Sequence, residues 1–74
     1  QPFDRAFIDM MIPHHQGAIR MAQVELQQGS EPGLEQLATG IISAQTREIE
    51  AMNRWREKWY GAASPAGGVP EPTE

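Results

Sequence analysis

The chain contains no cysteine, which excludes disulfides, thiolate metal sites and cysteine nucleophiles together. Positive charge is also scarce. Six Lys and Arg stand against ten Asp and Glu, a net charge of −4, so the basic footprint that holds nucleic-acid phosphates is missing. No apolar run approaches the roughly 18 to 20 residues that span a bilayer, and neither nucleic acid nor membrane is expected as a partner. The amino terminus lacks the basic segment and apolar stretch of a signal peptide. Because the chain opens on Gln1 rather than Met, it reads as a processed product or a fragment of a longer chain. Catalytic patterns are absent too. Neither histidine stands three residues after a Glu, as di-iron bundles require, and there is no His-Glu-x-x-His and no Ser, His and Asp set in a strand-turn-helix context. With so little chain to enclose a substrate pocket, the expectation is a protein that is not an enzyme.

What is present is helical periodicity. From Phe3 to Gln28 the polar residues Arg5, Asp9, Gln16, Arg20, Gln23 and Gln27 recur at helical spacing on one flank. The spacing predicts an inward face centred on Phe7, Met11, His14, Ala18 and Glu25, with Phe3, Met10, His15, Met21 and Ala22 beside it. Asp4 suits an N-cap and Gly29 a left-handed C-terminal residue. Pro13 removes a backbone donor and crowds the Asp9 carbonyl, so either a kink or a junction of two shorter helices is expected there. A second helix is predicted from Pro32 to Trp59, capped by Ser30 or Glu31 and stopped by Gly61. Its inward stripe reads Leu34, Leu37, Ile41, Gln45, Glu48, Met52, Trp55 and Trp59. Residues 62–74, rich in Gly, Pro, Ala and Ser, have the composition of a flexible linker or tail. The predicted organisation is therefore a helical hairpin over residues 1–61 followed by that tail.

A short loop centred near Glu31 makes antiparallel partners sum to about 62 in residue number. Phe3 then meets Trp59, Phe7 meets Trp55, Met10 or Met11 meets Met52, and His14 meets Glu48. One level thus gathers Met10, Met11, His14, His15, Glu48 and Met52, roofed by Phe7 and Trp55. Ile8, Ile12, Ile19 and Leu26 form a second apolar flank that a single hairpin leaves uncovered. The fold class expected is all-α, a hairpin kinked near Pro13 that assembles into a four-helix, ferritin-like bundle with another copy or a second similar domain. Gly17 and Gly40 are either tolerated in their helices or admit a close helix from that partner.

A histidine and a carboxylate in an apolar layer must be paired or bound. The structural solution is a His14 to Glu48 hydrogen bond that fixes helix register. The chemical solution is a metal. Met11 lies three residues before His14 and four before His15, and Met10 four before His14, so imidazole and thioether converge. Thioether with imidazole selects soft metals, Cu(I) above all, and dispenses with the thiolates lost in oxidising surroundings.

Phe3 to Ala22, FDRAFIDMMIPHHQGAIRMA, and Glu48 to Trp55, EIEAMNRW, resemble the bacterial domain-of-unknown-function family numbered 305, with Met11 to His15 the most specific part. The resemblance implies a ferritin-like helical bundle, a secreted or periplasmic location, two domains in many chains, and copper bound by way of Met11, His14, His15 and Met52. A copper-handling module, a metal-free assembly domain and a copper redox enzyme are the three functional readings that follow, in that order.

Overall fold

A computed structural model describes residues 2–72, which form two helices and a C-terminal segment. Helix α1 runs Pro2–Gln28 and α2 runs Pro32–Tyr60. They pack as an antiparallel hairpin whose long dimension, 44 Å, is close to the roughly 43 Å that 29 residues span at about 1.5 Å each. Helix α1 is continuous through Pro13, so the chain does not divide into two helices there. Asp4 lies inside the first helical turn rather than at a cap. Gly29 closes α1 by donating to the Glu25 carbonyl at 2.7 Å but is not left-handed. At α2 the expected signals hold. Glu31 is the extended N-cap residue, Pro32 follows as the first helical position, and Gly61, at φ 92°, returns its N–H to the Glu57 carbonyl.

The seam between the helices is narrow and isoleucine-rich. Ile8, Ile12 and Ile19 of α1 meet Ile49 and Met52 of α2, with Ile12, Ile19 and Ile49 fully buried. The row read from sequence as an uncovered second flank is therefore the one that closes the hairpin, Leu26 excepted, since it remains exposed. The stripe predicted to face inward instead stays largely open: Phe3, Phe7, Met10, Met21, Leu34, Leu37, Trp55 and Trp59 are all exposed. The correction amounts to one residue, about 100° of rotation, on α1. Branched isoleucines allow two helices to approach closely, whereas a row of Phe, Met and Trp needs more depth than a two-helix seam supplies.

The C-terminal segment, expected as a flexible linker or tail, touches both helices. It folds back along one side of the seam, where Ser64 is buried and Ala66 packs on the isoleucine core. Its carbonyls are held from the helices: Gln16 donates to Ala66 and Gly68 at 2.9 and 2.8 Å, Asn53 to Gly67 at 2.9 Å, and Arg56 to Ala62 at 2.8 Å. The Ser64 N–H in turn donates to the Asn53 side chain at 2.8 Å. Residues 73 and 74 of the predicted tail lie outside the described residues. One side of the hairpin is thus covered by its own chain at the level of Asp9, Gln16, Asn53 and Arg56, and the other is open.

Candidate metal centre

The open side carries a groove of about 270 Å³ between the helices. Phe7, Met11 and His15 line it from α1, one turn apart; Glu48, Ala51, Met52 and Trp55 line it from α2. At its centre the His15 ring is held at both ends. Nδ1 donates to the Met11 carbonyl, one turn back, at 2.9 Å, and Nε2 faces Glu48 Oε1 across the helix pair at 2.6 Å. Each ring nitrogen thus faces an oxygen. The imidazole is buried while Glu48 reaches it from the exposed rim.

His15, rather than His14, is therefore the histidine that meets Glu48. His14 is exposed, its ring centroid 6.2 Å from that of His15, because it stands one residue off the isoleucine seam. Met10 is likewise exposed on the outer face of α1. Of the six residues predicted for a metal, the structure brings Met11, His15, Glu48 and Met52 to one groove and leaves Met10 and His14 outside it. The expected Phe7 and Trp55 layer does lie beside this cluster.

The donor set can be compared with metal preferences. Among the described residues, no three of His, Cys, Asp and Glu converge, so a centre here depends on the thioethers of Met11 and Met52. These suit Cu(I) and not Mg, Ca, Mn or Zn. The Nδ1 bond to a backbone carbonyl fixes the imidazole in the manner of metal-ligating histidines, so Nε2 is the ring atom that would hold a metal. The residues present fit a soft metal.

Opposite the groove, sequence reasoning missed a polar clamp. Arg56 donates from Nε and Nη2 to the two oxygens of Asp9 at 2.8 and 3.1 Å, and the Ser64 hydroxyl donates to Asp9 Oδ1 at 2.6 Å. The Arg56 and Ser64 hydrogen bonds, in that order, hold the Asp9 carboxyl below its ordinary value. Opposite charges at Asp9 and Arg56, close to the expected register, were the available signal.

The model of the family described as a domain of unknown function, DUF305, matches residues 1–73. An uncharacterised protein of Acanthamoeba polyphaga mimivirus is 42% identical over 50 residues, covering 68% of this chain and 33% of its own length. Among solved structures, CopM in the Cu(I)-bound form superposes with a TM-score of 0.81 at 41% identity, over 96% of this chain and 49% of that one. CopM in the Cu(II)-bound form gives 0.81 at 45% identity, over 92% and 47%. CopM has also been solved with Ag bound. The chain spans about half the length of CopM and a third of the viral protein.

Proposed function

Since the chain belongs to the DUF305 family, we propose that it is a copper-binding helical module, holding the metal at Met11, His15 and Met52 and sequestering it or passing it on outside the cytoplasm. The observation that carries the proposal is the His15 ring, oriented by the Met11 carbonyl with Nε2 against Glu48, in a groove that Met11 and Met52 also line. Cu(I) is the favoured state because thioether sulfur is soft. Silver, softer still and always monovalent in this setting, is among the ions bound by CopM. In this reading Glu48, which contacts Nε2, would yield that nitrogen to the metal. No catalytic step is assigned to it.

We further propose that the open face is covered by a second helical pair, from another copy or a similar domain, giving a four-helix bundle. Its support is the row of exposed Phe7, Leu34, Leu37, Trp55 and Trp59 on a single side, together with CopM chains about twice the length that this chain covers. Exposed Met10 and His14 lie beyond the groove on α1 and would add donors where two hairpins meet. Sedimentation should give at least a dimer, and a stable folded monomer at micromolar concentration would contradict that.

One alternative has its own observation. The 2.6 Å contact between His15 and Glu48 joins the helices directly, and in a metal-free assembly domain it would serve only to fix their register. Titration with Cu(I) against a competing chelator separates the two. The copper reading expects saturable uptake that is weakened in His15→Ala and Met52→Leu; the register reading expects no retention in any variant.

A further inference from the structure

We infer that Trp55 forms the aromatic wall of the metal groove and that its ring face, rather than any lone pair, favours a soft monovalent cation over Cu(II). The inference rests on the copper reading above and names a residue it does not assign. Trp55 stands three residues after Met52 on the same side of α2, and both line the groove that holds Met11 and His15. At 49% exposure it has one part in the groove and one in solvent. Its plane is set by Trp59, which lies parallel to it, 4° between planes and 6.0 Å between centroids. One face of the indole is turned to Trp59, and we assign the other to the cation.

The donor count gives this wall its meaning. The groove supplies one imidazole nitrogen, two thioethers and the Glu48 carboxylate; the nitrogen and sulfurs suffice for Cu(I), while Cu(II), which seeks a tetragonal field of nitrogen and oxygen, finds one nitrogen and one carboxylate. A carboxylate or amide in place of Trp55 would serve Cu(II). An indole offers no lone pair in that direction, only the negative face of its ring, which attracts a cation most when water is kept away. Phe7, across the groove from Trp55, adds apolar cover. A large apolar side chain without a π face, such as leucine, would keep the cover and lose the attraction.

Affinities for Ag(I), a redox-silent probe, and for Cu(II) are measured by chelator competition on the whole chain, for the wild type, Trp55→Leu, Trp55→Phe and Trp59→Leu, with circular dichroism to confirm helicity. Trp55→Leu should weaken Ag(I) binding about tenfold and Cu(II) binding by less than about twofold, with Trp55→Phe between wild type and Trp55→Leu for Ag(I). Trp59→Leu should change Ag(I) affinity far less, and Ag(I) should quench the Trp55 fluorescence that remains in that variant. Unchanged Ag(I) affinity in Trp55→Leu, beside tight binding by the wild type, overturns the role of Trp55 and leaves the copper reading standing. Failure of the wild type to bind either ion overturns both.

Discussion

Ending the chain after Gly61 should destabilise the hairpin, and the structure sets the size of the effect. Truncation removes the hydrogen bonds from Gln16, Asn53 and Arg56 to the returning backbone, and the one from the Ser64 hydroxyl to Asp9. The helix side chains so released regain water, and the Arg56 to Asp9 pair stays, since both partners belong to the helices. Their net loss is therefore modest, because each bond is worth only about 1 kcal/mol and the ordering of the segment opposes it. The larger consequence is exposure of part of the isoleucine cluster against which Ala66 packs, whose Ile12, Ile19 and Ile49 are fully buried. Uncovering a large part of one such side chain costs about 1 to 2 kcal/mol. A total of about 1 to 3 kcal/mol lowers the melting temperature of a domain this small by roughly 5 to 20 °C. Thermal and urea melts of the full chain and the 1–61 truncation, followed by circular dichroism, provide the comparison. Coincident curves with equal urea slopes would show that the segment lends the helices no support, and the packing argument would fail.

Other perturbations test separate parts of the account. The Asp9 carboxyl is held below the ordinary value of 3.8 by Arg56 and Ser64, so it binds its proton less readily folded than unfolded. Its stabilising share is then whole above the ordinary value and lost as pH falls through the lowered one. Asp9→Asn should lie below wild type near neutrality and converge with it in strong acid; melting curves that stay parallel down to about pH 2 would contradict the clamp. At Gly17 and Gly40 a new Cβ meets nothing within 4 Å, so alanine at either should raise stability by up to about 1 kcal/mol through helix propensity alone. Destabilisation that grows with protein concentration would instead place a partner helix against that glycine.

The hairpin was legible in the sequence because its signals are local. Pro32, Gly61 and the periodic polar flank mark helix limits whatever the helices pack against, and α2 ends one residue beyond the predicted Trp59. The register was nearly legible for the same reason: a short loop constrains the sum of partner numbers, and the pairs His15 with Glu48 and Asp9 with Arg56 give 63 and 65 against the expected 62. Which face turned inward was not legible, since both helices carry two apolar rows and periodicity ranks them by bulk. Bulk favoured Phe7, Met11 and Trp55, whereas close approach favoured Ile8, Ile12 and Ile49. That single ambiguity exchanged His14 for His15 while leaving Glu48, Met11 and Met52 in the site. The returning segment was hidden for another reason. Its anchors are backbone carbonyls, which every residue possesses, and the donors Gln16, Asn53 and Arg56 look from sequence like ordinary solvated side chains.

The central claim is that the groove at Met11, His15 and Met52 takes copper through His15, with His14 secondary. Melting curves of wild type, His14→Ala, His15→Ala and Met52→Leu, each with and without saturating Cu(I), test it most directly, because a metal that binds only the folded chain raises the midpoint by mass action. The account predicts a clear rise for wild type, a smaller one for Met52→Leu, nearly the full rise for His14→Ala and the largest loss for His15→Ala. A wild-type midpoint indifferent to copper, or a rise that survives His15→Ala and vanishes in His14→Ala, would contradict it.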